Sequence, residues 1–417
     1  MRLLLLALLA CAAEGAEFRA AAVKIDITPP GPEWLMGYAA RQSTGVHDPL
    51  FHRIAVLDDG ATRFYLVSSD LCVFSPTVYD DVARELGIDP VNLWWTTTHT
   101  HSAPETGPPD MYELLLKGRS EHAWSRDYLA LVKAKLKQGI QESQSRLEPA
   151  RLGVGTGMAM ANINRRARDP EGRISLGLNP DGPVDRQLGL IRLERRDGSL
   201  IALIANYAMH GTVLGGRWME ISGDAPGTVA AYVEKKLGAP MLYINGAAGN
   251  IAPIYSVYDN PRAGHLSEFN VLLGDRILET ARHLAAPAAE VRLAAAEKMV
   301  ETARKSGLAW TPALDRYAAS SPAGPLVRIP VRFLRINDVL LWSAPVELFC
   351  EIAMRVRDLS PFRHTFYFGY ANGWLGYLPT AAGFREGGYE PNTSTFTESA
   401  EEDFTRAVVA QVQGMPR

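Results

Sequence analysis

The chain has 417 residues, 47% hydrophobic and 21% charged, enough to bury a large core as one big domain or two modest ones. Its formal net charge is −3 and no run of basic residues is interleaved with aromatics, so nucleic acid is excluded as a working partner class. No internal apolar run reaches the length that crosses a bilayer.

The first residues read as an export signal. Met1-Arg2 precedes an apolar run from Leu3 to Ala10 and small residues to Ala16, which predicts a cleaved leader over 1–16 and a mature region over 17–417. Leu8-Leu9-Ala10-Cys11 also resembles a lipoprotein processing box, which would make Cys11 a lipid-anchored N-terminus. The mature protein is therefore expected to be secreted, periplasmic or held at the cell envelope, with peripheral or lipid-anchored membrane association. The other two cysteines, Cys72 and Cys350, are either a disulfide pair or ordinary buried apolar residues.

Residues 20–27 alternate as a strand, and Thr28-Pro29-Pro30-Gly31-Pro32 stops it. Gly45-Val46-His47-Asp48-Pro49 follows as a loop, in which His47 is either a substrate-side group or a loop histidine bonded to backbone. Stretches 54–57 and 64–67 make a hairpin around Asp58-Asp59-Gly60, and Ser75-Pro76 opens a helix that runs to Gly87.

Leu93-Trp94-Trp95-Thr96-Thr97-Thr98-His99-Thr100-His101 is the most informative stretch. It reads as a buried, β-branched strand ending in His-Thr-His before a Pro- and Gly-rich loop. Side chains two apart on a strand share a face, so His99 and His101 can converge and begin a zinc site; the alternative is two surface histidines at a strand end.

A helix is expected over 125–144, a strand over 153–159, and then a loop carrying Asn162-Ile163-Asn164-Arg165-Arg166. Its arginines are either a solvated surface or an anion- or carbonyl-binding pair. Strands over 188–193 and 201–207 lead to Met209-His210-Gly211, a third histidine at a third strand end. Beyond a helix over 226–237 and a strand over 241–244 comes Asn245-Gly246-Ala247-Ala248-Gly249-Asn250-Ile251-Ala252-Pro253, a small-residue loop fit for close backbone approach to a substrate. A helix over 265–283, a strand over 291–300 and a hairpin around Asn337-Asp338 follow. That hairpin ends at Pro345-Val346-Glu347, where a carboxylate at a helix start can serve as a ligand. A strand over 366–370, the loop Asn372-Gly373-Trp374-Leu375-Gly376-Tyr377 and a helix over 401–412 close the chain. Strands alternating with helices predict an α/β fold, a mixed β-sheet core flanked by helices, with its chemistry at strand ends and loops.

The motifs Gly37-Tyr38, Gly45-Val46-His47, Thr98-His99-Thr100-His101-Ser102, Asn164-Arg165, His210, Ser222-Gly223-Asp224, Gly249-Asn250-Ile251-Ala252-Pro253, Pro345-Val346-Glu347 and Gly376-Tyr377-Leu378-Pro379-Thr380 run in the order of the catalytic domain of neutral, non-lysosomal ceramidases, which this chain resembles. The resemblance implies hydrolysis of the amide of N-acyl sphingoid bases with one zinc ion, held by His99, His210, Glu347 and Tyr377, and a lipid or small-molecule amide is the expected substrate here. Tyr377 as a ligand rests wholly on the resemblance. Two departures stand out. Where the family has a serine proposed as nucleophile this sequence has Ala252, with Ser256 the nearest stand-in, and no immunoglobulin-like C-terminal domain is expected.

A serine mechanism at Ala252 is impossible, so attack by metal-activated water is expected. His101 then acts as general base and acid, or else supports the ligands or replaces Tyr377 among them. Arg165 or Asn250 would hold the oxyanion, with His47, Gly249 and Ala252 lining the substrate. Two other classes stay open: a zinc hydrolase of an ester or small N-acyl compound, and a non-catalytic binding protein on the same fold.

Overall fold

The computed structural model describes residues 17–119, 122–256 and 263–416; the expected leader over 1–16, with Cys11, lies outside them. Among the described residues no helix is long and apolar enough to cross a membrane.

An eight-stranded mixed sheet is the main element, in the spatial order Met241–Asn245, Leu200–Tyr207, Gln187–Arg195, Glu148–Met158, Arg19–Asp26, Phe51–Asp58, Arg63–Ser69, Leu93–Thr97. The pairings at its two ends are parallel and those between are antiparallel. A second sheet holds Leu293–Ala303, Gly324–Ile336, Val339–Ser343 and His364–Phe368.

Alternation along the strands decides the layering. Ile204, Leu242, Ile244 and Trp94 point inward against Leu334, Leu341, Phe366 and Phe368 of the second sheet. Their neighbours Leu203, Ala205, Met241 and Tyr243 face outward onto Val229 and Val233 of the helix Asp224–Leu237. The helix Arg126–Ser145, capped by Ser125, packs Tyr128, Val132, Leu136 and Ile140 on the same outer side. The second sheet turns Val331, Phe333 and Trp342 onto the helices Cys350–Asp358 and Ala400–Gly414. Helices, sheet, sheet and helices thus stack with apolar seams between them, the mixed-sheet α/β fold that the pattern predicts.

Three expectations change. The loop expected at 162–166 is a strand, Asn162–Arg168, central in a small sheet with Ile174–Asn179 and Ile251–Pro253. Its two arginines masked the pattern, because their charges are neutralised from a distant segment. The single helix expected over 265–283 is a 3₁₀ turn at Ala263–Ser267, a π-turn at Asn270–Gly274 and a helix at Asp275–Arg282. The strand expected to carry His99 stops at Thr97. Cys72 and Cys350 are buried free thiols, which removes the disulfide alternative.

Candidate metal centre

The carboxyl ends of four strands, Leu93–Thr97, Leu200–Tyr207, Met241–Asn245 and His364–Phe368, meet at one place. Asn245 joins them: its Oδ1 accepts from Met209 N (3.0 Å), its Nδ2 donates to Met209 O (2.8 Å) and Thr98 O (3.3 Å), and its own carbonyl accepts from Gly369 N (2.8 Å). One buried amide therefore fixes the two histidine-bearing segments against each other.

His99 is off the strand, with its N–H donated to Leu71 O and its backbone in the left-handed region at φ 63°. Tyr370 and Asn372, which follow another of the four strands, are also left-handed, at φ 53° and 64°. Non-glycine residues held there cost energy and concentrate at functional sites. The turn at His99, rather than strand alternation, brings the Nε2 atoms of His99 and His101 to 3.2 Å.

His99, His210 and Glu347 are nearly or wholly inaccessible, and their ligand atoms all lie within 4.8 Å of one another. Glu347 Oε2 is 3.3 Å from His99 Nε2 and 3.2 Å from His210 Nε2. Nitrogen and oxygen ligands of a tetrahedral zinc ion are about 3.3 Å apart, so the spacing fits such an ion. The other faces of the rings agree. His99 Nδ1 bonds Cys72 O and His210 Nδ1 bonds Ile251 O, both at 3.0 Å, so each ring spends its N–H outward and turns the Nε2 lone pair inward. Lone pairs aimed at a carboxylate without a donor between them call for a cation.

Glu347 and Tyr377 are register partners in a two-residue parallel ladder, and the Tyr377 hydroxyl lies 3.5 Å from His210 Nε2. Two groups that the sequence did not single out complete the surroundings of Glu347. Trp374 Nε1 donates to Oε1 (2.9 Å), and the Tyr370 hydroxyl donates to Oε2 (3.4 Å) while its ring lies 4.1 Å from that of His99. Aromatic character in the 366–377 stretch was visible, but nothing in it marked which rings would reach Glu347.

The electrostatics favour one positive charge in the cluster. Burial pushes Glu347 up, but the two imidazoles, His99 foremost, more than reverse this and hold it well below the usual carboxylate range. Burial pushes His99 down and Glu347 raises it to about 10, whereas burial, then Arg165 and His99, lower His210 to about 3. A proton on His99 takes the place that a metal ion would fill. His101 lies outside the set of His99, His210 and Glu347, in a second set with His99 and Cys72. Burial, followed by the charge of His99, holds it well below the imidazole range.

Arg165 reaches the site from the middle strand of the small sheet. Its guanidinium lies 5.4 Å from the Tyr377 ring centre, and its Nε donates to Glu390 Oε1 (3.0 Å). Arg166 faces away, to Glu390 Oε2 and the carbonyls of Gly383 and Gly387, so the solvated-surface alternative fails for both.

The other expected site groups are not members of the ligand set itself. The Asn250 amide, expected at the oxyanion, is spent on Glu351 Oε2 (2.8 Å) and Cys350 N (3.0 Å), which anchors a helix start. His47 is half-exposed against Glu220 and Trp218. Ala252 is buried in a strand and pairs with Ile163. Ser256 Oγ is buried and has no hydrogen-bond partner among the described residues, so no base is seen against it.

Gly249 makes the close approach that its loop predicts, but to protein. A Cβ there would sit 2.5 Å from Glu347 O and 2.9 Å from Leu348 O. Gly249→Ala is therefore expected to push the Glu347 backbone aside and weaken metal binding by roughly 10- to 100-fold, the range for groups that orient ligands. A metal titration checks this, and unchanged affinity would show that Glu347 does not depend on the contact.

The sequence profile described as neutral/alkaline non-lysosomal ceramidase, N-terminal, matches residues 18–253. The chain belongs to the neutral/alkaline non-lysosomal ceramidase family. It is 23% identical to the neutral ceramidase of Pseudomonas aeruginosa over 89% of this chain and 68% of that one. With neutral ceramidase A of Dictyostelium discoideum it shares 29% identity over 51% of this chain and 31% of the other, so it spans about a third of that relative. A crystal structure of the Pseudomonas aeruginosa neutral ceramidase superposes with a TM-score of 0.78 at 20% identity, covering 96% of this chain and 75% of that one. A structure described as a ceramidase complexed with C2 gives 0.77 at 19% identity. The ceramidase fold thus extends past the profile match to the carboxylate and aromatic half of the site.

Proposed function

We propose that this ceramidase-family chain is a zinc-dependent amidohydrolase that cleaves an N-acyl amide of a lipid by attack of water. The observation that carries the reading is the spacing of His99 Nε2, His210 Nε2 and Glu347 Oε2, which fits one tetrahedral ion. Tyr377 stands next to this set through its hydroxyl. When bound, the ion would polarise a carbonyl oxygen and make a water molecule more acidic.

The protein groups supply the rest. His101 Nε2, 3.2 Å from His99 Nε2, takes a proton from the attacking water and returns it to the departing amine nitrogen. The Arg165 guanidinium, fixed by Glu390, favours negative charge on the carbonyl oxygen. Trp374 and Tyr370 hold the Glu347 carboxylate in place. Ala252 brings no hydroxyl, which favours water over a covalent route. The 1–16 leader supports export to the cell envelope or beyond.

Purified mature protein should contain zinc, lose activity to a chelator, regain it with zinc, and release fatty acid from N-acyl sphingoid bases. Full activity in metal-free protein would end the zinc assignment. Turnover of esters or short N-acyl compounds without long-chain amides would move the substrate class.

A further inference from the structure

The hairpin of Trp34–Leu35 and Arg41–Gln42 contributes nothing to the metal set, yet it is built around His101. It runs beside the segment after His101, with Met36 N donating to Ala103 O (3.0 Å) and Glu105 N to Trp34 O (2.8 Å). At its tip Gly37, at φ 101°, lies so close to the imidazole that a Cβ would be 2.5 Å from His101 Cγ. The Tyr38 ring closes the flank, with its centre 5.0 Å from the imidazole centre at 63°. Arg41 completes the enclosure: Nη2 donates to the carbonyl of His101, Nε donates to Trp218 O (3.1 Å), and the guanidinium lies 4.9 Å from the Tyr38 ring centre.

Arg41 is an expensive residue to keep there. It is 6% exposed, its Nη1 has no hydrogen-bond partner among the described residues, and burial weakens its hold on the proton more than Tyr38, Glu105 and their neighbours strengthen it. An apolar side chain of similar length would avoid the cost of burying that charge. What the guanidinium does that an apolar chain cannot is grip the His101 carbonyl, the Trp218 carbonyl and the Tyr38 ring together.

We propose that Arg41 is a positioning residue for His101. It holds the imidazole beside the set of His99, His210 and Glu347 and keeps it from collapsing into that set as a further ligand. This rests on the reading of His101 as the proton-transfer group. Released from the clamp, Nε2 at 3.2 Å from His99 Nε2 has only a short way to move, and a histidine that ligates cannot carry a proton.

The test is a cycle of Arg41→Ala, His101→Ala and the double variant, with kcat, KM, metal affinity and side-chain NMR of metal-free protein. Arg41→Ala should lower kcat by roughly 10- to 100-fold, as expected for a group that orients another, with KM little changed and metal affinity not weakened. In the His101→Ala background the same change should cost nothing more. Added guanidinium should restore part of the loss in Arg41→Ala and none in the double variant. The His101 ring signal, assigned by its absence in His101→Ala, should shift or broaden in Arg41→Ala. An equal loss with and without His101, metal affinity falling in step with activity, or an unmoved ring signal would each overturn the proposal. Full activity in His101→Ala would instead strike the reading of His101, and the ring signal would still decide the clamp. Should Arg41→Ala fail to fold, Arg41→Lys, which keeps the charge and loses the fork, goes through the same cycle with the same expected direction.

Discussion

His99→Ala is expected to remove bound metal and activity together, with a loss of at least roughly a thousandfold, since an ion that polarises the reacting groups contributes several kcal/mol to the barrier. The size follows from where His99 stands. Its Nε2 faces Glu347 Oε2 at 3.3 Å, its Nδ1 is fixed on the Cys72 carbonyl, and Tyr370 covers its face. Alanine there leaves His210 and Glu347 facing a hole, and two ligands do not hold a zinc ion well. Metal analysis and amidase assays on the same preparation check this. Retained metal at one equivalent would show that the ion sits elsewhere. Protons compete for the same lone pairs, so wild-type affinity should fall as the pH is lowered.

Glu390→Ala is expected to be strongly destabilising although it lies away from the metal set. Glu390 is 1% exposed and holds two arginines at once, Arg165 Nε at 3.0 Å and Arg166 Nη1 at 2.7 Å, which are themselves 4% and 6% exposed. Removing one partner of a buried ion network costs about 3–5 kcal/mol, because the remaining charges stay desolvated. For a chain of this size that corresponds to a melting temperature lower by roughly 5 °C. Arg166 keeps weaker anchors on Glu386 and two carbonyls, whereas Arg165 loses its ion-pair anchor beside Tyr377. Activity should therefore fall as well, and Glu390→Gln, which keeps the shape, should lose less of both. Thermal melts with parallel assays decide it, and an unmoved melt would show that the network carries no load.

Glu390 was not legible in the chain, and the reason is physical. A carboxylate in Gly-Gly-Tyr-Glu-Pro carries no periodicity or spacing that marks it, and its importance comes from two arginines more than two hundred residues earlier. The same distance explains why Arg165 and Arg166 read as a loop: two adjacent charges contradict a strand until their partner is known. Asn250 shows the opposite case. A polar side chain in a glycine-rich loop suggests a substrate contact, but its amide is consumed by a neighbouring helix start. Gly249 makes a close approach, as its loop suggests, and the group it approaches is the Glu347 carbonyl.

By itself the sequence determined the alternation of apolar strands and amphipathic helices, and hence the mixed-sheet α/β class, because those periods follow from local backbone geometry. It also marked His99, His101, His210 and Glu347 as groups able to bind an ion, because ligand chemistry belongs to the residue type, while the choice among them rested on the family resemblance. Only the tertiary structure decided that His99, His210 and Glu347 share one point, that His101 stands beside them, and that Arg41, Asn245, Tyr370 and Trp374 hold the arrangement. Those relations are contacts between segments distant in the chain, set by how two sheets stack, and no local pattern encodes them.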